Sequence, residues 1–294
     1  MNIPPFSGVA TALATPFDES GVDYRAFAEI IEFQIASGID ALLVCGTTGE
    51  ASTLSDAEKK EMISFAVKQA GKRVPVIAGT GSNDTKKACL MSEYAAKAGA
   101  DAVLAVTPYY NKCTQKGLVK YYSEISKSCS LPFIVYNVPS RTGLKVEAET
   151  LAEIANDKNA CGYKDAGNSI SETAKAISAC KGKIPVYSGN DDRILPVLSL
   201  GGKGVISVAS NILPKTVKKL TSLFFEGKNR EAAELQIKLI PLISALFSEV
   251  NPIPVKAAMA RMGLCRNILR APLTELSREK REILFSAMDA LKTE

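Results

Sequence analysis

Short apolar runs rich in β-branched residues recur every thirty or so positions: 8–16, 41–46, 74–79, 102–107, 132–137, 161–164, 185–189 and 204–208. Each is followed by a stretch in which apolar residues return with the period of a helix: 23–37, 56–70, 84–98, 116–129, 147–156, 169–180, 191–200 and 214–226. Runs that are apolar throughout belong to strands covered on both faces. Eight strands, each followed by a helix, is the count of an α/β protein folded as a (β/α)8 TIM barrel. The punctuation agrees. Ser55-Asp56-Ala57-Glu58 has the form of a capping box, and Gly71, Gly99 and Gly182 stand where helices should stop. After Gly227 the strand pattern ends. Residues 228–250, about 253–262 and about 277–292 read as helices, separated by Asn251-Pro252-Ile253-Pro254 and Ala271-Pro272. The expected organisation is a catalytic barrel, 1–226, with a C-terminal helical subdomain, 227–294, packed on the barrel or on a neighbouring subunit.

Composition narrows the chemistry. A length of 294 residues suits one barrel with an extension, and 46% hydrophobic with 23% charged residues is ordinary for a globular protein. The net charge of +5, from 36 basic and 31 acidic residues, is spread in short pairs such as Lys59-Lys60 and Lys218-Lys219. A nucleic-acid binder would concentrate it on one face. The seven cysteines are widely spaced and form no CxxC pair, which reads as free thiols in a reducing compartment. There is no histidine, so the Ser-His-Asp triad and the HExxH metal site are excluded. Met1 to Gly8 lacks a basic and an apolar segment, so no signal peptide is expected, and no apolar run approaches the ~20 residues of a membrane span. The expected location is the cytoplasm.

In such a barrel the loops after the strands make the active site. After the second strand, Gly46-Thr47-Thr48-Gly49-Glu50 is either a turn that needs glycine or a cradle of hydroxyls and N–H groups for a small carboxylate. After the third, Gly79-Thr80-Gly81-Ser82-Asn83-Asp84 begins like a dinucleotide fingerprint, but Asp84 fills its last position and reads as a helix cap. Thr107-Pro108-Tyr109-Tyr110 puts two tyrosines at a loop tip, as interface aromatics, proton carriers or both. Tyr136 is either a core aromatic or the acid–base group that a site without histidine must find elsewhere. Arg141 is either solvated or a fork for a substrate carboxylate.

Lys164 ends the sixth strand, Cys161-Gly162-Tyr163-Lys164. A lysine there is either snorkelling and ion-paired, or aimed at the mouth of the barrel as a nucleophile. An ordinary lysine has a pKa near 10.4; bringing it to about 7 takes roughly 4–5 kcal/mol, within what burial can impose. Gly189, after the seventh strand, leaves room near such an amine, and Ile206 on the eighth offers an apolar wall.

With these residues assembled, the chain resembles the dihydrodipicolinate synthase family of the pyruvate-dependent class I aldolase superfamily, which includes N-acetylneuraminate lyase. The likeness runs nearly end to end, through GTTGE at 46–50, AGTG at 78–81, TPYY at 107–110, YNVPSRTG at 136–143, GYKDA at 162–166, GVISV at 204–208 and NPIPVK at 251–256. GTTGE and the lysine strand mark the superfamily, and YNVPSRTG is the more specific motif. The resemblance implies that Lys164 forms an imine with pyruvate and that Thr47 and Thr48 bind its carboxylate. It implies a proton relay of Tyr136, Thr47 and Tyr110, the last donated across a dimer interface. Arg141 would bind the carboxylate of L-aspartate 4-semialdehyde, while Gly189 and Ile206 shape the pyruvate pocket. The implied product is 4-hydroxy-tetrahydrodipicolinate, on the route to diaminopimelate and lysine, made without a metal or other cofactor by a homotetramer of tight dimers.

The chain departs from the family at two places. Lys164-Asp165-Ala166-Gly167-Asn168 lacks the glutamate and the further residue that many relatives carry before the asparagine. Lysine-inhibited relatives place an acid on the first turn of the third helix and histidines before the second; here Lys86 and Lys87 occupy that turn, with Ser55, Asp56 and Lys59 near the histidine positions. Weak or absent feedback by lysine is therefore expected. Two rivals remain: a sister lyase acting on a sugar acid, which shares the imine but has no need of Arg141, and a non-catalytic barrel that binds a small carboxylate and forms no covalent adduct.

Overall fold

In a computed structural model, which describes residues 5–291, eight parallel strands pair edge to edge and close into a barrel. Along the chain come β1 (Gly8–Ala12), a small antiparallel hairpin of β2 (Phe17–Asp18) and β3 (Gly21–Val22), α1 (Tyr24–Ala36), β4 (Ala41–Val44), α2 (Asp56–Ala70), β5 (Val76–Gly79) and α3 (Thr85–Ala98). These are followed by β6 (Ala102–Val106), α4 (Gln115–Ser128), β7 (Phe133–Asn137), α5 (Pro139–Thr142), α6 (Ala148–Ile154), β8 (Ala160–Asp165) and α7 (Ile170–Cys180). The barrel is completed by β9 (Val186–Ser188), α8 (Ile194–Ser199), β10 (Gly204–Ser207) and α9 (Pro214–Phe225). Three more helices, α10 (Asn229–Leu246), α11 (Ile253–Arg261) and α12 (Arg278–Ala290), form the C-terminal extension. Residue 292, the expected end of the last helix, and residues 1–4 of the N-terminal segment lie outside the described residues.

The strands alternate as a closed sheet requires. Ala10, Leu43, Ile77, Ile134, Tyr187 and Ile206 fill the interior. Val9, Leu42, Val76, Phe133 and Val205 point outward into a second apolar layer under the helices. Leu239, Leu242, Leu284 and Met288 of the extension belong to that same outer layer, so the extension and the barrel share one core. No helix among the described residues is long and apolar enough to cross a membrane.

The start of α2 is fixed by the Ser55–Glu58 capping box, and α3 is capped by Asp84, which accepts from the N–H groups of Lys86 and Lys87. Gly71 and Gly99 end α2 and α3 in the left-handed conformation, whereas α7 ends at Lys181, one residue before Gly182. The first strand stops at Ala12 rather than at 16. Leu13 to Pro16 stay buried, but the Ala14 N–H is taken by the Asn211 side chain and the chain leaves the sheet for the hairpin. The expected helix 191–200 is a 3-10 turn, Asp191–Arg193, followed by α8, because the Asp191 carboxylate turns inward.

Candidate active site

The strand that carries Lys164 is irregular where it matters. Phe133 pairs with Ala160, but Ile134 pairs with Gly162, so β8 holds one extra residue against β7. Beyond this bulge Tyr163 lies in the outer layer and Ala166 in the inner one. A Cβ on Gly162 would come within 3.0 Å of the Tyr187 ring and 3.3 Å of Ile134, both interior residues. Lys164, two positions on, therefore faces the interior, and its Nζ lies 4.2 Å from the centre of the Tyr136 ring on the neighbouring strand. The residue is only 6% exposed. Burial pushes its pKa down to about 7; the Asp191 charge opposes the fall and the Arg141 charge adds to it. At neutral pH a large fraction of this amine is uncharged, which nucleophilic attack requires.

Tyr136, Thr47 and Arg141 line one cavity of about 340 Å³ at the mouth of the barrel. Burial raises the Tyr136 pKa, and a hydrogen bond with the Thr47 side chain and the Arg141 charge counteract it. The phenol accordingly remains protonated at neutral pH and can hand on its proton. Arg141 sits on α5, a single turn that the sequence pattern did not reveal. Pro139 occupies its first turn and Gly143 closes it at φ 67°, the two signals that mark it in retrospect. One guanidinium nitrogen donates to the main-chain oxygen of Asn251, 3.2 Å away, leaving other donors for the cavity.

Thr48 is buried beside Thr47 and accepts a 3.0 Å hydrogen bond from the Asn251 side chain. A Cβ on Gly189 would lie 2.7 Å from that of Ala166 and 3.0 Å from the Asp165 carbonyl, so only glycine lets this loop close on the end of β8. Ile206 is fully buried in the interior layer that also holds Tyr136. Of the expected site residues, Thr47, Tyr136 and Arg141 line the cavity; Tyr110, 91% exposed at φ 70°, does not, and Tyr109 lines it instead. The short segment after Lys164 is well held. The Asp165 carboxylate accepts from Asn137 at 3.0 Å, the Gly167 N–H at 3.0 Å and the Thr173 hydroxyl at 2.7 Å.

Three residues near the site escaped the sequence reading. Asp191 is buried, its carboxylate accepting from the N–H groups of Val208 and Ala209 at 3.0 Å each. Asn251 joins the extension to both Thr48 and Arg141. Lys256 of α11 forms a buried ion pair with Glu50, 2.7 Å apart, and Glu50 also accepts from the Arg270 N–H at 3.0 Å. Glu50 ends the GTTGE motif and Lys256 ends NPIPVK, but 206 residues separate them.

A closed parallel barrel with a buried amine at the end of one strand, against a tyrosine that is itself hydrogen-bonded to a threonine and with an arginine nearby, is the framework of a carbonyl-capturing, class I aldolase type of protein. A model described as the dihydrodipicolinate synthetase family matches residues 5–291, and the chain belongs to that family. It is 50% identical over 284 residues to the 4-hydroxy-tetrahydrodipicolinate synthase of Acetivibrio thermocellus, covering 97% of each chain. Among solved structures, dihydrodipicolinate synthase from Aquifex aeolicus superposes with a TM-score of 0.96 at 41% identity, covering 98% of both chains. The chloride-inhibited enzyme from Acinetobacter baumannii, complexed with pyruvate, gives 0.94 at 40% identity over 96% of this chain and 98% of that one.

Proposed function

We propose that this protein is a lyase of the class I aldolase type that condenses pyruvate with L-aspartate 4-semialdehyde to give 4-hydroxy-tetrahydrodipicolinate, in lysine and diaminopimelate biosynthesis. The observation that carries the reading is the buried amine of Lys164, held near neutrality against the ring of Tyr136. The neutral amine attacks the keto carbon of pyruvate and water leaves, giving a protonated imine. That imine is an electron sink, so the methyl group loses a proton and becomes an enamine carbon. This carbon attacks the aldehyde of the second substrate. The new adduct's own amino group then displaces Lys164 from the imine carbon, closing the ring and freeing the enzyme.

The proton transfers fall to Tyr136 and Thr47, with Tyr110 supplied by a partner subunit. The 91% exposure of Tyr110 at a left-handed backbone position supports that last assignment, because an aromatic at a strained loop tip is expected to be covered. The assembly in this reading is a homotetramer of tight dimers. Thr47 and Thr48 hold the pyruvate carboxylate, Gly189 and Ile206 bound its pocket, and Arg141 receives the carboxylate of the semialdehyde. The division into a catalytic barrel, 1–226, and a helical subdomain, 227–294, belongs to the same reading. The seven cysteines are all free, which supports a reducing, cytoplasmic setting.

Arg141→Ala separates this assignment from a sugar-acid lyase. The variant is expected to raise KM for the semialdehyde by roughly 10–100-fold, the loss of a charge-assisted hydrogen bond, with KM for pyruvate little changed. Full activity of the variant on the semialdehyde, or cleavage of a sugar acid by the parent protein, counts against it. The outer part of the cavity is lined by Asp56, Lys59 and Lys87, and Lys59 lies 3.8 Å from Asp56. With two ammonium groups against one carboxylate, a cationic ligand meets net repulsion. Steady-state rates should be unaffected by millimolar lysine; partial inhibition at low lysine concentration refutes this.

A further inference from the structure

We propose that Asn251, between α10 and α11, is a positioning residue for the keto-acid end of the site: its side-chain amide holds Thr48 so that the threonine's hydroxyl proton is free for the substrate carboxylate. The proposal rests on the reading that Thr48 grips that carboxylate. Asn251 Nδ2 donates to Thr48 Oγ1 at 3.0 Å, and the two residues are 6% and 2% exposed. Among the described residues the Thr48 hydroxyl makes no other hydrogen bond. The polarity of this bond matters. A hydroxyl has one proton, and an oxygen occupied as an acceptor leaves that proton to donate elsewhere. Asn251 Oδ1, meanwhile, is buried and has no hydrogen-bond partner among the described residues. A buried acceptor left unpaired calls for a reason other than stability, and holding Thr48 in one orientation supplies it.

The same residue touches the other end of the site in a different way. Arg141 donates to the main-chain oxygen of Asn251, not to its side chain. Truncating the side chain therefore releases Thr48 and spares the Arg141 contact. A residue with a merely structural role would disturb both substrates alike.

The test measures KM for each substrate in Asn251→Ala, with the other saturating. The expected result is a pyruvate KM about tenfold higher, the loss of one buried hydrogen bond, with semialdehyde KM within about twofold of the parent. In a Thr48→Val background Asn251→Ala should have no further effect on pyruvate KM, because the bond is already gone. Should the alanine variant fail to fold, Asn251→Asp decides: it keeps the shape but accepts from Thr48 instead of donating, so pyruvate KM should again rise about tenfold or more. A pyruvate KM within about twofold of the parent in the variant that folds, equal rises for both substrates in Asn251→Ala, or a rise that persists in the Thr48→Val background overturns the proposal. Failure of the parent protein to form a pyruvate adduct on Lys164 instead overturns the functional reading beneath it, so the two failures are told apart.

Discussion

Lys164→Met is expected to lose at least about 1,000-fold in condensation activity and, at pH 7, to be more stable than the parent. Both effects have one cause. The parent holds a buried amine whose pKa is about 7, and an unfolded chain would hold the same group near 10.4. Between those values the unfolded state binds more protons than the folded one, so this group's contribution to stability rises with pH across that window. Below pH 7 the folded state carries the whole penalty, roughly 4–5 kcal/mol; near pH 10.4 almost none is left. Methionine fills a similar volume without an amine, so its gain is on the order of 2–4 kcal/mol at pH 7 and shrinks towards zero by pH 10. Urea unfolding of the two proteins at pH 7 and pH 10 checks it. A difference that is absent at pH 7, or grows with pH, contradicts an amine that is costly when charged. The same bulge-bearing strand thus trades stability for a nucleophile.

The second large effect is expected at the far side of the Thr47–Thr48 loop. Lys256 and Glu50 are both essentially inaccessible, and Lys256 also lies 4.3 Å from the centre of the Phe17 ring. Lys256→Met leaves the Glu50 carboxylate buried and, among the described residues, accepting a hydrogen bond only from the Arg270 N–H. Breaking one side of a buried pair costs about 3–5 kcal/mol, mostly the desolvation of the charge left behind. Glu50 is also held at φ 53°, so the loop that presents both threonines loses the anchor for an unusual backbone conformation. Activity should fall with stability. The double variant Glu50→Gln/Lys256→Met removes both charges and should regain most of the lost stability, because a neutral amide can still accept from Arg270. Urea unfolding of the parent and the two variants decides the matter; a double variant as unstable as Lys256→Met would mean that the pair does not act through charge.

What the sequence made legible follows from which forces are local. A run such as Ala41–Val44 is apolar on both sides because both sides are covered, and that shows in the sequence without any partner strand. The Ser55–Glu58 box is legible because both its bonds are made within one turn. Burial without pairing misled: Ala14 to Pro16 look like strand because they are buried, yet they pack after the sheet has ended. At the site, Lys164, Tyr136, Thr47 and Arg141 could be picked out because each lies at or just beyond the end of a strand. The contacts that hold them could not. Asn251 reaches Thr48 across 203 residues and Lys256 reaches Glu50 across 206, and no periodicity records a bond between a loop and a distant helix. Asp191 was hidden for a related reason: an acid at the start of a helical pattern normally faces water, and only the closed barrel turns this one inward.

Treating the protein with borohydride in the presence of pyruvate, followed by mass spectrometry of its peptides, tests the central claim most directly. One reduced pyruvate-derived mass on the peptide containing Lys164, absent in Lys164→Ala, is the predicted result. No adduct, or an adduct on any other lysine, would contradict the covalent capture of the keto acid at this strand end.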